Sequence, residues 1–223
     1  MSMLRKSVVL DIDGVLLKGG SVIKGAKQAV QKLLTNNIPF IFVTNGGGMH
    51  EEVKAADLSK KLDMTVLPSQ VIVCHTPLKI LTPEFSSKRV LIIGRKECLD
   101  VAKAYGYSKA INTDILHIEN PTIYPLAPAP SSSPSCGSGS VTEPLESVAA
   151  VMIFHDPVNW GLEMQVMSDV LMDTNGNQRI PLFVTNNDLL YNTEFPRPRF
   201  TQGAFIEAFK HLTKAVHGEE CVF

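Results

Sequence analysis

Unbroken apolar runs alternate with amphipathic stretches along this chain. The apolar runs lie at residues 8–10, 39–43, 89–94, 147–154 and 180–184. A run without polar alternation is typical of a strand covered on both faces, as in a parallel sheet. Stretches with apolar residues at helical spacing lie at residues 22–37, 97–105, 160–172 and 203–216. This alternation predicts an α/β fold built from right-handed βαβ units.

The alternation stops at residues 121–147, which are rich in Pro, Ser and Gly. A segment of that composition buries too little apolar surface to form a packed element. We therefore predict a disordered surface insertion there.

Composition restricts the partners and the compartment. The chain of 223 residues has 21 basic and 22 acidic side chains and a net charge of -1, so it lacks the basic surface that nucleic acid or an anionic membrane requires. No apolar stretch approaches the ~20 residues of a membrane span. The four cysteines have no C-x-x-C spacing, which favours a reducing compartment. The first strand begins so early that no targeting segment is visible, which predicts a cytoplasmic protein.

Asp11 and Asp13 follow the first apolar run directly, in the sequence DIDGVL. The carboxyl ends of parallel strands form the edge at which α/β proteins bind ligands. One carboxylate can attack a phosphorus centre while the other donates a proton to the leaving oxygen. A hydrogen-bonded turn is the structural alternative. A calcium-binding EF-hand is excluded because Leu16 and Val22 stand where that loop needs Gly and Glu.

A second strand-to-helix loop has the sequence VTNGGG. Thr44 offers a hydroxyl group, and the amides of Asn45 and Gly46 can point into a pocket, an arrangement that suits phosphate oxygens. A flexible loop is the alternative interpretation. A dinucleotide-binding fingerprint is excluded because its third glycine would fall at Glu51. Glu51 is instead interpreted as an acid that suits the positive end of the next helix.

Together, DIDGVL and FVTNGGG resemble the first two motifs of the haloacid dehalogenase superfamily of phosphohydrolases. The segments FHDPVNWGLEMQVMSDVL and NNDLLYNTEFPRPRFTQGAF resemble cap segments of the group related to cat eye syndrome critical region protein 5. The resemblance implies a Rossmann-like parallel-sheet core at residues 1–80, an inserted α/β cap at 81–200, and a helix at 201–223 that re-enters the core.

The resemblance also implies roles for individual residues. Asp11 would be the nucleophile and a Mg²⁺ ligand, and Asp13 would be the acid/base and bind Mg²⁺ through its backbone carbonyl. Thr44 and Asn45 would hold the phosphoryl group. In the cap, Asn187 and Asp188 would face the active site and help to choose the substrate, a small phosphorylated metabolite.

The chain departs from the family pattern in one respect. The third motif, a Lys in a Gly-Lys-Pro context, and the acidic fourth motif are not found, and neither Lys210 nor Lys214 is assigned to that role. The core is thus expected to be incomplete at its C-terminus. The expected function is phosphate monoester hydrolysis through a phospho-aspartyl intermediate, with impaired activity. The alternative function is a non-catalytic phosphate-, metabolite- or protein-binding module. The resemblance also leads us to expect a homodimer formed through the cap, and it favours a mitochondrial location over the cytoplasmic one.

Overall fold

The computed structural model describes residues 6–128, 147–172 and 180–218. Its strands are β1 (Val8–Asp11), β2 (Leu17–Lys18), β3 (Ser21–Val22), β4 (Phe40–Val43), β5 (Val71–Ile72), β6 (Arg89–Ile93), β7 (Lys109–Ile111), β8 (Val148–Ile153), β9 (Leu182–Val184), β10 (Leu190–Tyr191) and β11 (Arg199–Phe200). Its α-helices are α1 (Ala26–Thr35), α2 (Glu51–Leu62), α3 (Thr82–Phe85), α4 (Glu97–Ala104), α5 (Thr113–Glu119), α6 (Trp160–Met172) and α7 (Gln202–His217). Short 3-10 helices lie at Pro68–Gln70 and Thr76–Leu81.

The strands form two parallel sheets and two small hairpins. The first sheet has the order β1-β4-β5 and the second has the order β7-β6-β8-β9, while β2-β3 and β10-β11 are antiparallel hairpins. We call β1, β4, β5, α1 and α2 the first-sheet unit, and β6 to β9 with α4 to α7 the second-sheet unit. The predicted α/β class with parallel sheets is confirmed.

The first sheet is covered unevenly. Val8 and Leu10 pack against the apolar cluster that includes Val30, Phe42 and Leu58. Val9 points to the opposite face, because successive strand residues alternate, and its side chain is 65% exposed. The prediction that the first apolar run is covered on both faces is therefore wrong: in the described residues β1 pairs only with β4 and has one open face.

The second sheet carries the larger buried cluster. All five residues of β6 are buried, and β8 between β6 and β9 is buried at five of its six positions. At the amino end of β6, the buried Arg89 forms an ion pair with Glu119 at the end of α5. Burial on both faces explains why these strands appear in the sequence as continuous apolar runs.

Helix α7 packs in the second-sheet unit. Phe205, Ile206 and Phe209 are buried in the second cluster with the residues of β6, β8 and α6. The family resemblance implies instead that residues 201–223 re-enter the core. An amphipathic pattern shows that a helix has a buried face but not which sheet covers it. Gly218 ends the helix with φ 75°, as its position predicts.

The predicted disordered insertion is described only at its two ends, since residues 129–146 lie outside the described residues. At its start, Ile123 and Tyr124 pack against the second cluster. In the ranges that the structure describes, none of the helices combines the length and the apolar character needed to cross a membrane.

Candidate active site at the edge of the first sheet

The parallel register of the first sheet brings the two predicted motifs together. Asp11, the last residue of β1, lies opposite Val43, the last residue of β4. The residues that follow each strand are therefore neighbours at the carboxyl edge of the sheet. Beyond β1 the chain turns tightly, and the amide of Gly14 donates a hydrogen bond of 2.7 Å to the carbonyl oxygen of Leu17. Gly14 has φ 89°, a conformation that favours glycine.

Thr44 connects the two loops. Its hydroxyl donates a hydrogen bond of 3.1 Å to Oδ2 of Asp13 and accepts one of 2.9 Å from the amide of Gly46. Thr44 is buried, while Asp13 and Gly46 are exposed. The buried hydroxyl thus fixes the Asp13 carboxylate relative to the glycine loop at the mouth of the site.

The glycine loop lies close against other parts of the chain. A Cβ on Gly47 would overlap Sγ of Cys74 and would lie 3.1 Å from the carbonyl oxygen of Phe154 in the second-sheet unit. A larger residue therefore requires the side chain of Cys74 to move and the backbone at Phe154 to shift slightly. The glycines that the sequence analysis treated as a loop signal also serve this close contact.

A residue of the second-sheet side reaches the same loop. The side-chain amide of Asn45 donates a hydrogen bond of 2.6 Å to Oδ2 of Asp188. Asn187 is exposed, and its backbone carbonyl lies against Gly203 of α7. The structure thus brings Asp13, Thr44, Asn45, Gly46 and Asp188 together beside Asp11, whereas Asn187 contributes backbone packing. The chemical roles of these residues stay predictions.

Asp11 and Asp13 have the donor chemistry that a Mg²⁺ site requires. Both are exposed at the sheet edge, and carboxylate and carbonyl oxygens are the ligands that Mg²⁺ prefers. Within the part of the chain that the structure describes, neither carboxylate forms an ion pair with Lys or Arg. The residues present therefore fit this ion.

Gln202 organises the loop that carries Asp188, and the sequence analysis did not single it out. The side chain is 1% exposed, and its Oε1 accepts hydrogen bonds from the amides of Thr185 (2.9 Å) and Asn186 (3.0 Å). Its own amide donates to Oδ1 of Asp156 at 2.9 Å. The only sequence signal is a polar residue at the start of a helix, which is ordinary at that position.

Glu51 forms a second buried polar centre, between the two units. Its Oε1 accepts hydrogen bonds of 2.8 Å from each of Thr76, Lys79 and Tyr105. Burial raises the pKa of Glu51, but these donors, with Lys79 first, outweigh burial and lower the pKa to about 2. An open cleft of about 490 Å³ lies beside this cluster and is lined by His50, Glu52, Lys79 and Tyr105 among others. None of the predicted site residues lines that cleft.

The family comparison agrees with these two motifs. Residues 8–108 match the model of haloacid dehalogenase-like hydrolases. The match covers fewer than half of the 223 residues and identifies residues 8–108 as a haloacid dehalogenase-like segment. The resemblance of DIDGVL and FVTNGGG to the first two motifs of that superfamily is thereby confirmed. The finer resemblance to the cat eye syndrome critical region protein 5 group stays a prediction.

Two curated relatives of this haloacid dehalogenase-like chain come from yeasts. A mitochondrial hydrolase of Saccharomyces cerevisiae is 35% identical over 222 residues, which cover 94% of this chain and 62% of the relative. A cardiolipin synthase (CMP-forming) and mitochondrial hydrolase fusion protein of Schizosaccharomyces pombe is 33% identical, covering 94% of this chain and 36% of the relative. The chain thus spans less than two thirds of the length of either relative.

Solved structures share the fold. A hypothetical protein of Pyrococcus horikoshii OT3 matches with a TM-score of 0.67 and 20% identity, over 94% of this chain and 68% of that chain. A p-nitrophenyl phosphatase of Archaeoglobus fulgidus matches with a TM-score of 0.66 and 16% identity, over 97% of this chain and 66% of that chain. A glycerol phosphate phosphatase of Mycobacterium tuberculosis, in complex with magnesium, matches with a TM-score of 0.62 and 16% identity, over 97% of this chain and 53% of that chain.

Proposed function

We propose that this chain carries a phosphomonoesterase site in which Asp11 is the nucleophile. An oxygen of Asp11 attacks phosphorus and forms a phospho-aspartyl bond, while the bond from phosphorus to the alcohol oxygen breaks. Asp13 donates its proton to that leaving oxygen. Asp13 then removes a proton from water, and the water oxygen displaces Asp11 to release phosphate.

The observation that carries this proposal is the arrangement of Asp13, Thr44 and Gly46 next to the end of β1. The Thr44 hydroxyl holds Oδ2 of Asp13 at 3.1 Å, so the proposed acid/base has a fixed position beside Asp11. The amide of Asn45 is suited to a phosphate oxygen, because backbone N–H groups near a helix start attract anions, whereas the amide of Gly46 donates to the Thr44 hydroxyl. The match of residues 8–108 to haloacid dehalogenase-like hydrolases supports hydrolysis, and a p-nitrophenyl phosphatase of Archaeoglobus fulgidus shares the fold.

We propose that Asp11 and the backbone carbonyl of Asp13 hold Mg²⁺. The ion would supply positive charge that offsets the repulsion between phosphate and the two carboxylates. Thr44 and Asn45 would orient the phosphoryl group, and Asp188 would contact the alcohol part of the substrate, a small phosphorylated metabolite. A mitochondrial location is proposed from the two relatives that are named as mitochondrial.

We further propose that turnover by this chain is slow. In the described residues no Lys or Arg forms an ion pair with Asp11 or Asp13, so no basic side chain of that set is held against the two carboxylates. Preorganised charge of that kind contributes several kcal/mol to catalysis in such sites. The same observation favours a second candidate function, a module that binds phosphate compounds without hydrolysing them.

The test is transfer of a phosphoryl group to the protein from an aryl phosphate in the presence of Mg²⁺, followed by mass spectrometry. We expect slow incorporation of one phosphoryl group, located on Asp11 and lost in Asp11→Asn. Asp13→Asn should still accept the phosphoryl group, because the aryl oxygen of the donor is a good leaving group, but it should release phosphate more slowly. Asp63→Asn, an exposed carboxylate at the far end of α2, is the matched control. Incorporation that persists in Asp11→Asn contradicts the mechanism, and binding without any incorporation supports the binding module.

A further inference from the structure

The loop between β9 and β10 brings the carboxylate of Asp188 into contact with the loop that follows β4. In phosphoryl transfer the leaving oxygen lies roughly opposite the attacking oxygen. With Asp11 as the nucleophile at the end of β1, the alcohol part of the substrate points away from the first sheet. Asp188 lies on the loop between β9 and β10, and its Oδ2 lies 2.6 Å from the side-chain nitrogen of Asn45, next to the proposed phosphate position.

Asp188 is held in this position by its backbone. Its amide donates a hydrogen bond of 2.9 Å to Oδ1 of Asn186. Its carbonyl oxygen accepts hydrogen bonds from the hydroxyl of Thr201 at 2.5 Å and from the amide of Gly203 at 3.0 Å. Gln202 fixes the preceding residues from within the fold. These contacts fix the backbone of Asp188, and the hydrogen bond from Asn45 holds its carboxylate.

The charge of Asp188 is not balanced by a basic side chain. Asn45 is its side-chain partner, and across the described ranges no Lys or Arg forms an ion pair with it. Asp188 is exposed, and its Oδ1 can accept further hydrogen bonds. An unpaired carboxylate repels a carboxylate or second phosphate on a ligand and attracts hydroxyl and ammonium groups.

We infer that the site takes phosphate monoesters whose alcohol part ends in hydroxyl or ammonium groups, and that Asp188 rejects those that end in an anion. This inference rests on the function proposed above, because it takes the phosphate position from Thr44 and Asn45. It narrows the substrate class to phosphorylated polyols and amino alcohols.

The test is calorimetric binding, in the presence of Mg²⁺, of three ligands of similar size: 2-aminoethyl phosphate, 2-hydroxyethyl phosphate and phosphoglycolate. We expect 2-aminoethyl phosphate to bind about tenfold more tightly than phosphoglycolate, with 2-hydroxyethyl phosphate between them. Asp188→Asn should reduce the difference in Kd between 2-aminoethyl phosphate and phosphoglycolate to about threefold or less. Asp188→Lys should reverse the order, which a folding defect cannot do. Asp63→Asn, which removes a carboxylate outside the site, should leave the order unchanged.

Equal binding of the three ligands to the unmodified chain overturns the inference, as does a preference that persists in Asp188→Asn, or no binding of any ligand. The result is separable from that of the phosphoryl-transfer experiment. Selective binding that depends on Asp188, without phosphorylation of Asp11, supports the inference and rejects the hydrolase. Phosphorylation of Asp11 without selective binding supports the hydrolase and rejects the inference.

Discussion

Glu51 and Glu163 are both buried glutamates in the first turn of a helix, and their surroundings shift their pKa values in opposite directions. Glu51 begins α2 and accepts three hydrogen bonds, one of them from Lys79. Glu163 lies in α6, and one of its carboxyl oxygens, Oε2, is buried without a partner. Burial raises the pKa of Glu163 to about 8, whereas the pKa of Glu51 is about 2. Burial alone therefore does not determine the charge of an acid in this fold, since the donors around it decide.

The two glutamates also differ in their structural role. Glu51 and Lys79 carry their charges at the junction of the two units, where Glu51 receives a hydrogen bond from Tyr105 at the end of α4. Glu163 is neutral at pH 7 and sits inside the second-sheet unit, where the nearby Asp114 also raises its pKa. A charged centre with directional donors specifies how two surfaces meet, and a neutral buried acid does not.

The largest expected effect comes from removing the charge at the junction. Glu51→Gln should lower the free energy of unfolding by about 3 kcal/mol at pH 7, because Lys79 loses its ion-pair partner and the three donors share a neutral amide oxygen in place of a carboxylate. The pKa of Glu51 is lowered in the folded chain, so its contribution is present above pH 4.5 and lost as the pH falls towards 2. Denaturant titration at pH 7 and pH 3 measures both effects.

Glu52→Gln is the matched control for this prediction, because Glu52 is the exposed neighbour of Glu51 on the same helix. It should change stability by less than about 0.5 kcal/mol. If the two substitutions cost the same, the three hydrogen bonds do not stabilise the junction.

The second effect has the opposite dependence on pH. The pKa of Glu163 is raised from 4.5 to about 8 in the folded chain, so the unfolded chain loses this proton first. Stability therefore falls as the pH rises from about 4.5 to about 8. Glu163→Gln should remove that fall and stabilise the chain by about 2 kcal/mol at pH 9, because a buried unpartnered charge is avoided.

Melting temperatures of the two proteins at several pH values between 5 and 9 measure this effect. The two curves should converge at pH 5 and separate steadily above it. Parallel curves would mean that Glu163 titrates in the folded chain as it does in the unfolded one.

These two glutamates also mark what the sequence could and could not predict. The apolar runs identify the strands of the second sheet because burial on both faces removes polar residues from them, and α6 has the predicted bounds of Trp160 and Met172. The charge order along α2 predicts a helix, and Glu51 was interpreted through the helix dipole alone. Its donors at positions 76, 79 and 105 come from tertiary packing, which a local pattern does not encode.

The candidate site divides in the same way. Asp13 and Thr44 each follow an apolar strand, so parallel pairing of neighbouring strands is enough to bring them together. Asn45 and Asp188 are 143 residues apart, and only the family resemblance placed Asp188 at the site. Gln202 has neither signal, because its hydrogen bonds join a helix start to a loop 16 to 17 residues earlier.

A smaller effect on stability tests whether Tyr105 and Glu51 depend on each other at the junction of the two units. The Tyr105 hydroxyl donates its one proton to Glu51, so it accepts from Nδ1 of His75 at 2.9 Å. Tyr105→Phe should cost about 1.5 kcal/mol. In a double-mutant cycle with Glu51→Gln, the two costs should not add, because the residues are in contact.

Tyr107→Phe provides the comparison within the same segment. The Tyr107 hydroxyl donates to the carbonyl oxygen of Leu78 and does not contact Glu51. This substitution also loses one hydrogen bond, but its cost should add to that of Glu51→Gln within about 0.5 kcal/mol. Additivity of Tyr105→Phe as well would show that Glu51 and Tyr105 act independently.

The smallest effect is expected where a carboxylate is paired but exposed. Asp63 contacts Lys27 at 2.9 Å, and the two side chains are 82% and 45% exposed. Water solvates both charges, so Asp63→Asn should change the free energy of unfolding by less than about 0.5 kcal/mol. Asp63 has φ 54°, and Asn tolerates that conformation as well as Asp does, so the substitution tests charge alone. Denaturant titration at low and high salt should give the same small difference. A loss above about 1 kcal/mol would mean that pairing alone, without burial or additional donors, stabilises a carboxylate in this chain.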